Sequence, residues 1–209
     1  MTRVYLEIGP KKVFACSLVW PGWCRVAKGE EAALDLLMEY VPRYRVVAAR
    51  AGLAFEPGDP EVVARVPGDA TTDFGAPHAV CDLDHEPVEQ AEAERQVRVL
   101  RAAWELFDEV VAASPEELRK GPRGGGRDTS KVYAHVVEAE RSYARKLGVR
   151  HGPYRSREDR DAMRAELAAV LARPWRPGEG DLRWPPRYAA RRLVWHVVDH
   201  LWEIEDRRS

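Results

Sequence analysis

The second half of the chain repeats hydrophobic residues at intervals of three and four, and this spacing constrains the fold more than any other feature. The first such stripe consists of Ala93, Val97, Leu100, Trp104, Phe107 and Val111. Apolar positions at these steps lie on one face of an α-helix. Similar patterns predict helices over 129–147, from Ser156 onward and over 187–206. Four amphipathic helices joined by loops of moderate length pack most simply as a bundle.

The first part of the chain follows a period of two instead. Val4, Leu6 and Ile8 alternate with other residues, which predicts a half-buried strand, and 13–19 is predicted to form a hairpin with it. A helix is expected from Glu30 to about 50–52, and a short strand over 61–66. The predicted fold class is therefore α+β: a β-hairpin and helix unit at 1–66, a connector at 67–87, and a four-helix bundle at 88–209.

Composition and charge exclude several classes of partner. Hydrophobic residues make up 45% of the 209 residues and charged residues 32%, so the chain can bury a substantial core. The net charge of −1 gives no overall field that attracts nucleic acid or an acidic membrane. No apolar run approaches the ~18 residues of a membrane helix. An odd number of cysteines without CxxC spacing, and no signal-like apolar block at the start, favour reduced thiols and a cytoplasmic location.

Three histidines have the spacing of a metal site. His196 and His200 lie four residues apart on the fourth predicted helix, so their rings share one face about 6 Å apart along the axis. His135, on the second predicted helix, is expected on the inward stripe beside Val132 and Val136. We therefore predict that His135, His196 and His200 bind one divalent metal ion. The alternative is that these histidines are hydrogen-bonded in or near the core.

Two carboxylates share faces with these histidines. Glu203, three residues after His200, could be a fourth ligand, an acceptor for a ligand's ring N–H, or a catalytic proton acceptor. An alternative for Glu203 is a surface ion pair with Arg207. Glu138, three residues after His135, carries the same ambiguity.

Other polar residues are expected to lie outside the site. Asp199 is off the ligand stripe and is predicted to pair with Arg191 or Arg192. The histidines assigned to loops without a function are His78, His85 and His151.

Residues 132–140 (VYAHVVEAE) and 195–206 (WHVVDHLWEIED) resemble the DinB-like superfamily. The resemblance implies an up-down-down-up four-helix bundle with a histidine triad, one from the second helix and two from HxxxH on the fourth. It also implies a divalent ion, and three imidazoles suit Zn, Ni, Fe or Co. Relatives include metal-dependent S-transferases that use small cellular thiols such as mycothiol or bacillithiol, and a maleylpyruvate isomerase. A small thiol, an electrophilic substrate and a homodimer are therefore the implied partners. For an enzyme with this metal site, hydrolysis is the generic alternative to thiol transfer.

Residues 13–24 and 29–34 resemble the HicB-like antitoxin domain, a small β-β-β-α unit. Such units act through protein contacts, but no helix-turn-helix accompanies this one. The resemblance supports an alternative function: a non-catalytic binding or regulatory protein whose metal is structural or vestigial.

Overall fold

The first region forms a four-stranded sheet in the order β3-β2-β1-β4. The computed structural model describes residues 1–121, 125–180 and 182–208. Its strands are β1 (Thr2–Ile8), β2 (Val13–Ser17), β3 (Cys24–Ala27) and β4 (Pro60–Pro67). β2 is antiparallel to β1 and to β3, whereas β4 runs parallel to β1 at the other edge. The hairpin and the α+β class are confirmed, and β3 is a strand that the period-two pattern did not predict.

β1 is buried on both faces, so the prediction of a half-buried strand is wrong. Val4 and Leu6 pack into the main core, while Tyr5 packs on the opposite face with Phe14 and Trp195. Glu7 is also fully buried. A buried polar group must be hydrogen-bonded, and β1 meets this condition through the segment that covers its second face.

That covering segment is the predicted connector. It contains a short helix, α3 (Ala70–Phe74), and a 3-10 turn at Asp82–His85. The carboxylate of Glu7 accepts the Thr72 hydroxyl at 2.6 Å and the backbone N–H groups of His78 and Ala79 at 3.2 and 3.0 Å. Three donors converge on one buried carboxylate, which fixes the connector across the sheet.

The single helix predicted from Glu30 is divided into two, α1 (Glu30–Glu39) and α2 (Val41–Arg50). Pro42 lies at the start of α2. A proline ring clashes with the carbonyl four residues earlier and has no N–H, so one continuous helix cannot pass through this position. The hydrophobic stripe alone did not reveal this break.

The second region contains four long helices: α4 (Gln90–Ala112), α5 (Thr129–Ala144), α6 (Arg157–Leu171) and α7 (Pro186–Arg207). α4 contacts α7, α6 and α5, and α5 contacts α7 and α6. Ser156, the residue from which this helix was expected, caps α6: its hydroxyl accepts a hydrogen bond from the N–H of Asp159 at 3.2 Å. Glycines over 121–126 predict a loop between α4 and α5, and residues 122–124 of it lie outside the described residues. Across the described parts of the chain, no helix combines the length and apolar character needed to cross a bilayer.

The sequence Ser114-Pro115-Glu116-Glu117 has the pattern of a capping box followed by proline, which predicts a short helical turn, but no helix forms there. The Ser114 hydroxyl donates to the carbonyl of Val110 at 2.6 Å instead of capping a new helix. Glu116 turns to the start of α5, where its carboxylate accepts the Ser130 hydroxyl at 2.5 Å. Glu116 therefore caps α5, the next long helix in the chain, because the first N–H groups of a helix have no acceptor within the helix.

The sheet unit packs directly on α7. Gly22, with a φ of 81°, lies so close that an added Cβ would be 2.5 Å from Val194 and 2.7 Å from the backbone nitrogen of Trp195. Arg191 of α7 forms an ion pair with the buried Asp84 of the connector. The sheet and the connector thus contact α7 within about one and a half turns before His196.

Candidate metal centre

The structure brings the three predicted histidines together. His135 comes from the middle of α5, and His196 and His200 come from successive turns of α7. One ligand atom of each residue lies within 4.8 Å of the corresponding atoms of the other two. The ring centroids are 4.7 to 5.0 Å apart in each pair. Contact between α5 and α7 is therefore what assembles the site.

The spacing and the donor set fit a divalent transition-metal ion. Nitrogens about 2.0–2.1 Å from one tetrahedral ion are roughly 3.3 Å apart. The Nε2 atoms of His135 and His196 are 3.2 Å apart. This distance also allows a hydrogen bond between two neutral rings, the alternative that the sequence left open. A third imidazole beside this pair is the feature that favours an ion.

His135 lies at the rim of the site and not on the buried stripe as predicted. His196 and His200 are buried, with 5% and 9% of their surfaces exposed, whereas His135 is classed as exposed. Val132 and Val136 are fully buried. A residue three positions after Val132 and one before Val136 falls about 60° and 100° from them around the helix, at the edge of their stripe. One side of the histidine cluster is consequently open to solvent.

The pKa values of two of the candidate ligands favour the neutral rings that a metal requires. Although His135 lies at the rim, partial desolvation by its neighbours lowers its pKa to about 4, and the charge of Arg127 and the proximity of His200 act in the same direction. Burial also places the pKa of His196 well below its usual value, assisted by the neighbouring His200 and His135. An imidazole binds a metal through its unprotonated nitrogen. Near neutral pH these two rings therefore need lose no proton to bind an ion.

Glu203 orients one of the rings. Its Oε2 lies 2.7 Å from Nδ1 of His200, and its Oε1 accepts a hydrogen bond of 2.7 Å from Arg207. The hydrogen bond to His200 is the main cause that lowers the pKa of Glu203. An ionised carboxylate beside Nδ1 favours the tautomer that carries its proton there, which leaves Nε2 of His200 available to an ion. Two of the roles predicted for Glu203 as alternatives, acceptor for a histidine ring and ion-pair partner of Arg207, are therefore both present.

The other acidic residues lie apart from the triad. Glu138 forms an exposed ion pair with Arg141. Asp199 pairs at 2.9 Å with Arg25 of β3, so its predicted pairing with Arg191 or Arg192 is wrong. The physical reason is that α7 faces the sheet at Asp199, a contact between regions that no helical spacing could indicate.

The remaining histidines have other neighbours. Nε2 of His78 is 2.9 Å from Asp69, and Nε2 of His151 is 2.8 Å from Glu166. Among the described residues, the one group of three or more potential ligands with metal-like proximity is the predicted triad.

Two residues around the site were not predicted from the sequence. Arg127 lies 4.0 Å from Glu203, and its charge also lowers the pKa of His135 and His196. Tyr143 packs its ring 5.6 Å from that of His196, and its hydroxyl accepts a hydrogen bond from Arg192 at 3.2 Å. Tyr143 follows His135 by two helical turns on α5, which is a weak signal of a shared face. Arg127 precedes α5 in a loop and gave no signal.

Comparisons with protein-family models, with curated proteins and with solved structures found no significant match to this chain.

Proposed function

We propose that the protein binds one divalent metal ion through His135, His196 and His200 and is a metal-dependent S-transferase that uses a small cellular thiol. The main support for metal binding is that three ring nitrogens from two helices lie within 4.8 Å of one another, with His135 at an exposed rim. Three neutral nitrogen ligands neutralise none of an ion's charge and leave coordination positions open, as in catalytic rather than structural zinc sites.

The resemblance of residues 132–140 and 195–206 to the DinB-like superfamily supplies the reaction class. Under this proposal, α4 to α7 form the superfamily's up-down-down-up bundle. The contacts of α4 with α6 and α7, and of α5 with the same two helices, support such an arrangement.

When bound, a divalent ion supplies Lewis-acid chemistry that lowers the pKa of a coordinated thiol or water. The protein's own groups have separate tasks. The low pKa values of His135 and His196 keep both rings unprotonated, and Glu203 holds the His200 proton at Nδ1. Arg127 adds a positive charge near the rim, which favours an anionic partner such as a thiolate. A separate catalytic base role for Glu203 would require its hydrogen bonds to His200 and Arg207 to be exchanged.

The experiment is an assay of untagged, metal-loaded protein with low-molecular-weight thiols and electrophilic acceptors. We expect thioether formation by the wild type and none above background by a variant in which all three histidines are alanine. Metal bound at one ion per chain without turnover on any thiol would contradict the S-transferase proposal. That outcome would favour the alternative, a binding or regulatory protein with a structural metal.

A further inference from the structure

A cleft at the end of α5 is lined by three arginines and one histidine. Its volume is about 310 Å³, and its lining residues are Arg145, Arg150, His151 and Arg183. None of these residues belongs to the histidine triad. Pockets that bind small molecules begin at about 300 Å³, so the cleft has room for a compact ligand group.

The backbone around the cleft fixes the positions of these residues. Arg145 begins the 3-10 turn that follows α5, and Gly148, with a φ of 80°, reverses the chain after it. Val149 is buried, which anchors the segment that carries Arg150 and His151. The loop before α7 is joined to this segment by the N–H of Arg183, which donates to the carbonyl of Lys146 at 2.9 Å.

Among the described residues, the three arginines of the cleft form no close ion pair, although the charge of Arg145 contributes to lowering the pKa of Glu138. Within the part of the chain that the structure describes, no carboxylate oxygen lies within 4.0 Å of a side-chain nitrogen of Arg145, Arg150 or Arg183. His151 alone has an acidic partner, Glu166, at 2.8 Å. The negative end of a helix dipole stabilises a cation in the last turn, which accounts for Arg145. It does not account for Arg150 and Arg183, which come from outside the helix and still converge there.

We propose that this cleft binds a small phosphorylated molecule, with its phosphate or diphosphate group held by Arg145, Arg150 and Arg183. Guanidinium groups form bidentate, charge-assisted hydrogen bonds with phosphate oxygens. Three guanidiniums match the two or three negative charges of a phosphate or diphosphate better than the single charge of a carboxylate. The chain's net charge of −1 shows that this is a local concentration of positive charge and not part of a basic surface. The proposal does not depend on the metal or on the S-transferase activity.

The test is calorimetric titration of the full-length protein with pyrophosphate, in a chloride buffer of constant ionic strength. The cleft variant is Arg150→Gln with Arg183→Gln. The matched control is Arg157→Gln with Arg173→Gln, which removes the same charge from two exposed arginines outside the cleft. We expect saturable binding at one site per chain, at least tenfold weaker in the cleft variant and unchanged in the control.

Equal affinity in the two variants, or no saturable binding by the wild type, would overturn the proposal. A single-stranded RNA oligonucleotide provides a further comparison. Binding of RNA that is lost in the cleft variant but resists competition by pyrophosphate would show that the arginines recognise a nucleic acid backbone, and the small-molecule assignment would then be wrong. Circular dichroism of each variant establishes that it is folded.

Discussion

His196 is the most deeply buried residue of the triad, with 5% of its surface exposed. Replacing it with alanine removes one nitrogen and leaves two imidazoles on different helices. We expect untagged wild-type protein to retain close to one divalent ion per chain after dialysis and His196→Ala to retain little. Elemental analysis measures both. His85→Ala serves as control because His85 is exposed and outside the triad. Equal metal content in wild type and His196→Ala would show that these rings are not the ligands.

Glu203 should influence metal affinity without being a ligand. Glu203→Gln removes the negative charge that fixes the His200 tautomer, and loss of such a partner typically weakens metal binding 10–100-fold. Competition with a chromogenic chelator gives the affinity. Glu138→Gln is the matched control, because Glu138 follows His135 at the same spacing but pairs with Arg141 at the surface. A similar affinity for both variants would contradict the orienting role.

The metal-free protein should lose stability as the pH falls. The pKa of His135 is about 4 in the folded state, and that of His196 is also lowered, whereas an unfolded histidine titrates near ~6.5. The unfolded chain therefore binds more protons between about pH 6.5 and 4, so the free energy of unfolding decreases across this interval. Glu203 contributes in the same direction, since its pKa is lowered in the folded protein. Urea unfolding at pH 7.0, 5.5 and 4.5 measures the effect.

A variant with His135 and His196 both replaced by glutamine controls for the other titrating groups. Its free energy of unfolding should change less between pH 6.5 and 4.5 than that of the wild type. A wild-type stability that is unchanged or rises on acidification over this interval would contradict the lowered histidine pKa values.

At the level of elements, the turn between β2 and β3 is seated on α7. Gly22→Ala should be destabilising because its Cβ would meet Val194 and the backbone of Trp195, and because φ is 81°. Gly52→Ala is the matched control: its φ is 68°, but a Cβ there meets nothing within 4 Å. Overpacking costs about 1–3 kcal/mol beyond the backbone strain common to both. Urea unfolding should therefore show Gly22→Ala to be less stable than Gly52→Ala, and equal losses would mean that the turn is loosely seated.

Local patterns were sufficient to predict most of the second region. The stripes that include Trp104, Met163 and Leu193 identified long helices, because packing of an amphipathic face dominates helix formation in proteins. The same spacing identified His196 and His200. Pro42 could have been recognised as a break, since the ring's steric effect is local. The single helix predicted from Glu30 followed the hydrophobic stripe through Pro42 and so missed the break between α1 and α2.

Contacts between distant segments could not be predicted. Asp199 pairs with Arg25, and Glu7 is satisfied by Thr72, although nothing in either sequence neighbourhood indicates the partner. His135 lies at the edge of its stripe, and a helical wheel does not define how wide the buried face will be. The resemblance implied that α5 and α7 would bring the three histidines together. The spacing of the histidines alone could not indicate this, because the contact between the two helices depends on the packing of the whole chain.

At the scale of the molecule, the two regions share one apolar core. Val4 and Trp23 of the sheet region belong to the same buried cluster as Leu100 and Leu193 of the long helices. We therefore expect the protein to unfold as one cooperative unit and not as separate regions at 1–66 and 88–209. Far-UV circular dichroism and tryptophan fluorescence should give coincident urea transitions. Two separated transitions would indicate independent domains.

α7 contacts the connector, the sheet and α5 at successive positions along its length. Arg191 forms an ion pair with Asp84 of the connector, and Asp199 forms one with Arg25 of the sheet. Between and beyond them, His196 and His200 lie against α5, and Glu203 is hydrogen-bonded to the ring of His200. Inserting one residue between Arg191 and His196 would rotate all that follows by about 100° and advance it by about 1.5 Å. Either the ion pair between Arg191 and Asp84 or the approach of His196 and His200 to His135 would then be lost. An insertion in α7 would therefore disturb several of these contacts at once, whereas a single substitution acts at one of them.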